Sequence, residues 1–465
     1  MSQNISHKNI HLGFYGGVGS VTGANFVLWD DQIKIMIDCG ARQGSDEDEK
    51  KNYEPFAYDP SDIDVVFVTH AHSDHIGRLP KLIKDGFRGK IYSTRPTRDL
   101  TRLMLDDAVE HVARYAQEHN LPEPLYSRSD IEKTFELWKT EDYHHELHLS
   151  NDLVVTLHDA GHVLGSAMVC LDWGGNRLLL TGDLGNSPAP LLNDTEIPPE
   201  LDYLLMESVY GDRNHDQREI RSEVLEQILE DTIHRGGTVM IPAFSLERTQ
   251  ELLFEINNLV EKEHIPHVPV LLDSPLAIRV TDIYRQSHDF FNKETRAQID
   301  AGDDIFDFPG LRMTESIDAS KSINYMTGPK IVIAGSGMSN GGRILYHEKQ
   351  YLSDPANTLV FIGFQAAGTL GRIIQDGAKQ VKIYGETIPV QCQIETISGY
   401  SGHKQRDDLI DFVAQNRDTL KTVWCVMGET SSSTFLAQRL QDYLGVKAVV
   451  PEEGNIISLK KKDTH

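Results

Sequence analysis

The chain has 465 residues, more than one ordinary domain needs, and its 39% apolar and 25% charged content is that of a globular protein without a low-complexity tract. No run reaches the roughly eighteen apolar residues of a membrane span, and the opening M-S-Q-N-I-S-H-K-N-I-H-L lacks the apolar stretch of a signal peptide, so a cytoplasmic location is expected. A net charge of −25 opposes non-specific attraction to a polyanion, so a nucleic-acid substrate would need a local positive groove that includes the charge of any bound metal.

The first polar run in chain order, D-E-D-E-K-K from Asp46 to Lys51, is most simply solvated surface. The run D-V-V-F-V-T, Asp64 to Thr69, is β-branched and apolar and predicts a strand buried on both faces. At its end, T-H-A-H-S-D-H-I-G places His70, His72, Asp74 and His75 within six positions. Neutral imidazole is the commonest metal ligand and carboxylate suits the same divalent ions, so this spacing predicts a cation site where the strand turns into a helix containing Leu79, Leu82 and Ile83. Further along, Y-H-H-E-L-H, Tyr143 to His148, has the residue types of a zinc-protease motif. After Glu146 the spacing is one residue short, and an edge strand or loop is expected.

More ligands must come from elsewhere if two ions are bound. D-A-G-H-V-L-G-S-A follows the strand-like D-L-V-V-T-L-H and sets His162 between glycines; T-G-D-L-G-N follows R-L-L-L and exposes Asp183 in the same way. Beyond these, G-T-V-M-I-P, P-V-L-L-D, K-I-V-I-A-G and T-L-V-F-I-G alternate with helical segments such as R-T-Q-E-L-L-F-E-I-N-N-L-V, which predicts a parallel α/β sheet. Cys39, Cys170, Cys392 and Cys425 form no C-x-x-C pair and read as buried small apolar residues.

The ordered set D-C-G, T-H-A-H-S-D-H-I-G-R-L-P, A-G-H-V-L-G-S and T-G-D-L-G-N resembles the metallo-β-lactamase fold. M-E-S-V-Y-G-D-R, I-P-A-F-S-L-E-R-T-Q-E, L-D-S-P-L-A, G-S-G-M-S-N-G-G-R, G-F-Q-A-A-G-T-L-G-R and S-G-H resemble the β-CASP ribonucleases, closest to the subgroup of the mRNA cleavage and polyadenylation endonuclease subunit. The resemblance implies an α/β fold: a metallo-β-lactamase αββα sandwich over residues 1–210 and 376–465, interrupted by an inserted β-CASP α/β domain over 211–375, with a substrate cleft between them.

By position, the resemblance implies that His70, His72 and His162 hold one zinc ion, that Asp74 and His75 hold a second, that Asp183 bridges both, and that Asp38 supports the ligands from behind. Two divalent cations roughly 4 Å apart stabilise charge on a phosphodiester. Catalysis is assigned to Asp74, His403 and Glu207, with His403 as the acid at the leaving oxygen and Glu207 as the carboxylate that orients it. The glycine-rich loops 335–343 and 363–372 are expected to offer backbone N–H groups to phosphates, with Ser336, Arg343 and Arg372 beside them and Lys404 and Arg406 adding positive potential. The same loops also read as ordinary αβ turns.

One residue departs from the family pattern: Met427 stands where the last metal-binding histidine is expected. A thioether is a poor zinc ligand beside carboxylates, which leaves three outcomes: a weaker second ion, a one-metal enzyme, or an RNA-binding protein that does not cut. The expectation is a zinc-dependent ribonuclease acting internally on single-stranded RNA, with action from an end as a further mode, 5′-phosphate products and a homodimeric state. The alternative is a catalytically weakened RNA-binding or scaffold protein of the same fold. A hydrolase of small esters or thioesters is a third reading, disfavoured by the complete set of inserted-domain motifs.

Overall fold

Period-two alternation along the strands sorts side chains onto opposite sheet faces, and this sorting produces a layered arrangement. Phe26 and Leu28 join one buried cluster while Val27 joins another; Ile35 and Ile37 separate from Met36 in the same way, and Val65 and Phe67 from Val66. In a second set of strands, Val169, Leu171 and Trp173 share the first cluster while Met168 and Cys170 face a third, and Trp424 and Val426 separate from Val423 and Cys425. The first cluster is therefore the shared filling between two sheets, where each fully buried Leu, Ile or Phe contributes roughly 1.5–3 kcal/mol.

A computed structural model describes residues 9–215, 220–363, 365–366 and 368–462. Residues 1–8 of the segment read for a signal peptide, and Phe364 and Ala367 of the second glycine-rich motif, lie outside the described residues. The chain divides into two compact units: one runs to Ala189 and includes Asn193–Asn214 and the chain from His403, and the other contains Pro190–Leu192 and His215–Gly402.

In the first unit, among the described residues, one seven-stranded sheet has the order Ile456–Leu459, Ile10–Gly16, Asn25–Trp29, Lys34–Ile37, Val65–Phe67, Lys90–Ser93, Trp138–Thr140. The facing sheet has the order Ala448–Val449, Thr422–Val426, Tyr203–Glu207, Asn176–Leu180, Ala167–Trp173, Leu153–Asp159, Leu147–Ser150. Helices cover both outer faces. Leu79, Leu82 and Ile83, Leu105 and Val109, and Ile131 lie on three helices over the first sheet, and Leu409, Phe412, Leu436 and Leu440 lie on two helices over the second. The result is an αββα sandwich.

Local signals set the helix ends. The Thr94 hydroxyl accepts from Thr97 N–H at the start of Arg95–Glu118, Ser127 and Asp130 form a reciprocal capping box, and Gly445, with φ of 68°, ends Thr430–Leu444. The Asp46–Lys51 run is a short helix capped by Ser45 with no buried residue.

The second unit carries a six-stranded parallel sheet, in the order Leu311–Met313, Val270–Asp273, Lys330–Ala334, Thr238–Pro242, Thr358–Phe361, Gln393–Thr396. Its four central strands are buried along their whole length, which explains their uninterrupted apolar sequences. Residues 376–402, assigned from sequence to the second part of the sandwich, group instead with this unit. Gln393–Thr396 hydrogen-bonds in parallel with Thr358–Phe361 as the edge strand of this sheet.

All four cysteines are unpaired and buried, with burial pushing each thiol up to about 12. Among the described residues no helix is long and apolar enough to cross a membrane.

Candidate metal centre and acid site

The histidine-rich segment is shaped by one buried carboxylate. Asp38, at φ of 60° just past the Lys34–Ile37 strand, accepts from Thr69 N–H (2.8 Å), from the Thr69 hydroxyl (2.8 Å) and from His75 Nδ1 (2.7 Å). A carboxylate can only accept, so His75 donates through Nδ1 and its Nε2 is turned the other way. There it lies 3.3 Å from Asp183 Oδ1 and 3.8 Å from Asp74 Oδ2. Gly40 makes the loop possible: a Cβ there would fall 1.5 Å from the Asp74 carbonyl oxygen.

A second donor group meets the first at Asp183. His70 Nε2 and His162 Nε2 lie 3.5 and 3.6 Å from Asp183 Oδ2, and His72 Nδ1 lies 3.0 Å from His70 Nε2 and 3.3 Å from His162 Nε2. The two strand-end loops carrying His162 and Asp183 are pressed together, since a Cβ on Gly185 would overlap the Gly161 carbonyl oxygen at 1.8 Å. His70, His72, His162 and Asp183 thus form one set of potential ligands, and Asp74, His75 and Asp183 another.

Two observations test these sets for a cation. His75 Nε2 and Asp183 Oδ1 are buried, and neither has a hydrogen-bond partner among the described residues although they face each other. The electrostatics agree. Burial would hold the His75 imidazole neutral, yet Asp183, Asp38 and Asp74 outweigh it and raise its pKa well above the usual value. His70, buried and beside that charge, is pushed well below. Burial lifts the Asp74 carboxyl to about 6. The carboxylates demand positive charge at this spot, and a divalent cation meets that demand with two charges where a proton meets it with one. Nitrogen and carboxylate donors fit zinc.

His403 arrives from far along the chain. It forms an isolated antiparallel bridge with Gly185, its neighbour Lys404 donates from its backbone N–H to Leu184 O, and its ring packs 4.7 Å from that of His162. Its Nδ1 lies 3.3 Å from Glu207 Oε1 and 4.0 Å from Asp183 Oδ2. Glu207, at the end of the Tyr203–Glu207 strand, is fully buried and also accepts from Leu184 N–H at 2.5 Å. Burial opposes charge on His403, but Glu207 and Asp183 overcome it and raise its pKa to about 10. An imidazole held protonated by a buried carboxylate is equipped to give up a proton.

Comparison with known protein families matches residues 27–201 to the metallo-beta-lactamase superfamily domain, 249–374 to the Beta-Casp domain and 387–451 to the Zn-dependent metallo-hydrolase RNA specificity domain. Ribonuclease TTHA0252 of Thermus thermophilus is 40% identical over 400 residues, covering 86% of this chain and 89% of that protein. The chain belongs to the β-CASP ribonuclease family. Transcription termination factor FttA of Thermococcus kodakarensis is 33% identical over 485 residues, 99% of this chain and 74% of that protein. FttA of Methanosarcina mazei is 32% identical over 448 residues, 93% and 69% respectively. A protein of unknown function from Enterococcus faecalis superposes with a TM-score of 0.59 over 97% of this chain and all of that chain; at 13% identity it shows the fold alone.

Against the β-CASP pattern, Met427 is buried at φ of 47°, its N–H donating to Gly17 O at 2.7 Å. It shares a small cavity with Asp38, His75 and Gly182, and its sulfur lies against Gly17, so a Cβ on Gly17 would approach it to 2.4 Å. Thr69, which heads the histidine motif but had no role assigned from sequence, ties Asp38 to the ring nitrogens of His70 (3.0 Å) and His75 (3.3 Å). No sequence signal beyond its position marked it.

Asp38 thereby supports a first prediction. Asp38→Ala leaves His75 Nδ1 and two Thr69 donors without their acceptor, and metal affinity should fall about 10–100-fold in a competition titration against a chelator.

The three residues expected to bind phosphate lie in the second unit, and each already has partners within it. Arg343 donates to buried Asp273 (2.7 Å) and to the Thr314 and Glu315 carbonyls, so its guanidinium braces the sheet edge. Arg372 Nε is paired with Asp376 at 2.8 Å, one helical turn on, and is partly exposed. The Ser336 hydroxyl accepts from Asn340 N–H inside its own glycine-rich loop. Asp273, in the L-D-S-P motif, also accepts from His347, Ser320 and Thr314 and is held down to about 2; a side chain's fold-wide partners are not readable from its flanking residues.

The same loop bonds to a buried acid on the following helix, Ile344–Tyr351. Ser339 donates to Glu348, whose other oxygen is buried without a hydrogen-bond partner among the described residues, and burial raises this carboxyl from 4.5 to about 8. Between those values the folded chain keeps a proton that the unfolded chain has released, so stability falls as pH rises through this window, by on the order of 3 kcal/mol. Urea unfolding from pH 5 to 8 should show this slope in the unmodified protein and lose most of it in Glu348→Gln.

Proposed function

We propose that the chain is a zinc-dependent ribonuclease that cuts single-stranded RNA internally, and also from an end, leaving 5′-phosphate and 3′-hydroxyl termini. The observation that carries this reading is the convergence of His70, His72, His162, Asp74 and His75 on one buried carboxylate, Asp183, with the His403–Glu207 pair beside it. Bound zinc would supply Lewis acidity toward the phosphodiester and the attacking water. The chain's own residues do the rest. Asp183 serves both donor groups and Asp74 completes the second. Glu207 holds His403 at Nδ1 and keeps the imidazole charged, so that the ring can protonate the departing ribose oxygen. Single-stranded RNA is favoured because its backbone can enter a pocket without unpairing a duplex.

With a net charge of −25, attraction to RNA rests on local positive charge: the bound ions, Lys404 and Arg406, and the backbone N–H groups of the loop containing Ser336, Arg343 and, in the next loop, Arg372. The four unpaired cysteines fit a reducing compartment such as the cytoplasm. A homodimer is carried over from the family alone.

The test is cleavage of end-labelled RNA that EDTA stops, zinc restores and Asp183→Asn lacks. Met427 favours a second reading, an RNA-binding or scaffold protein with weakened catalysis; binding of the same RNA without cleavage at any zinc concentration would establish it instead.

A further inference from the structure

The segment Y-H-H-E-L-H, which fails as a protease motif by spacing, contributes to a different grouping. Tyr143 and His144 form a turn leading to the edge strand Leu147–Ser150, and His144, at φ of 63°, is fixed there by its N–H bond to Leu157 O at 2.9 Å. Its Nε2 lies 3.1 Å from Glu196 Oε1. His158, on the strand Leu153–Asp159, places Nδ1 3.3 Å from Glu196 Oε2. The two imidazoles are edge-to-face with ring centres 5.3 Å apart, and one donor atom from each of the three side chains lies within 4.8 Å of the others. We propose that His144, His158 and Glu196 form a further binding site for a divalent transition-metal ion, sharing no residue with the centre built on Asp183.

Donor chemistry and spacing support this. Two imidazole nitrogens and one carboxylate oxygen are a recurrent set for borderline divalent ions such as zinc, copper and nickel. A tetrahedral ion with bonds near 2.0–2.1 Å separates its ligand atoms by about 3.3 Å; here His144 Nε2 and His158 Nδ1 lie 3.1 and 3.3 Å from the two different oxygens of Glu196, and one donor atom from each side chain lies within 4.8 Å of the others. The scaffold is already in place. Glu196 N–H donates to Asp159 O at 3.0 Å, Asp159 N–H reaches Glu196 Oε2 at 3.4 Å, and the Thr195 hydroxyl donates to Ala160 O at 2.9 Å. Three segments distant in sequence are thus docked before any ion arrives, which lowers the ordering cost of binding. Exposure grades outward, with side chains 18% exposed at His158, 35% at Glu196 and 59% at His144, leaving an entry route and a fourth position for water.

An ion held here clamps the turn at His144 and the loop at Glu196 onto the strand whose end leads through Ala160 to His162. Its effect is to stiffen that support. Without an ion, each imidazole donates one hydrogen bond to Glu196, so the arrangement also satisfies itself; metal content separates the two cases.

The 465-residue chain, equilibrated with zinc at micromolar free concentration and then analysed for metal by mass spectrometry, should hold about one equivalent more than His144→Ala or Glu196→Gln, while Asp183→Asn keeps that equivalent. Zinc should also raise the unfolding temperature of Asp183→Asn and raise it less when His144→Ala is added. Copper loaded at this site should show coupling to imidazole nitrogen in its electron spin resonance spectrum, weakened in His158→Gln. Should one variant fold poorly, His144→Ala decides, because its side chain is the most exposed. Equal zinc content in the unmodified protein and His144→Ala, or saturation only at millimolar zinc, overturns the site.

Discussion

Asp183→Asn is expected to reduce RNA cleavage on the order of 10³-fold or more, about 4 kcal/mol of transition-state stabilisation, with loss of the metal bound at that centre and no loss of fold. The substitution is isosteric, so packing around this nearly buried side chain survives. The charge does not. Burial alone would favour a neutral carboxyl here, yet His75 and His70 hold it well below the usual carboxylate range, and its oxygens lie 3.3 Å from His75, 3.5 Å from His70 and 3.6 Å from His162. An amide contributes no charge and turns one acceptor into a donor facing imidazoles. Cleavage of labelled RNA and metal content, with circular dichroism as the fold control, check this prediction; equal activity in the two proteins would remove Asp183 from the role proposed for it.

Met427→His should raise bound zinc by up to about one equivalent, the largest change in metal content expected from any single addition to the chain. Met427 lines the same small cavity as Asp38 and His75, where a thioether offers an ion in carboxylate surroundings little. The backbone at φ of 47° suits histidine better than methionine, because short polar side chains populate this left-handed region more often. Apart from zinc the change is costly: it puts a polar ring into a buried cluster containing Phe14, Phe26 and Trp424, at about 1–3 kcal/mol. The variant should therefore unfold more easily in EDTA and regain stability with zinc. Unchanged metal content across micromolar zinc would mean that residue 427 does not limit the second ion.

The parts of the site that could be read from sequence share one property: each is declared locally. A strand ends and a His or Asp follows, directly after Thr69 at His70 and after a glycine at His162 and Asp183; neighbours in sequence suffice because the strand direction aims the side chain. His403 is different. S-G-H has no local signature, and the bridge to Gly185 together with the Lys404–Leu184 backbone bond brings it to Glu207. Arg343 shows the opposite outcome, a residue with suitable chemistry in a suitable loop whose guanidinium is turned to Asp273. The two imidazoles and carboxylate at His144, His158 and Glu196 were not legible as a group, because the spacing along each segment says nothing about the others.

From the order of amino acids follow the parallel α/β alternation of the inserted unit and the His and Asp clusters with metal-binding chemistry, because alternation, turn residues and ligand types are properties of short segments; the αββα sandwich and the family followed from the resemblance that those motifs carry. Tertiary structure decided the rest: that Gln393–Thr396 joins the edge of the six-stranded sheet of the second unit, that Glu348 is buried without enough partners, that Met427 sits beside His75, and which charged side chains are already spent on neighbours. Burial and pairing depend on what the remainder of the chain brings within a few ångströms, and no local pattern encodes that distance.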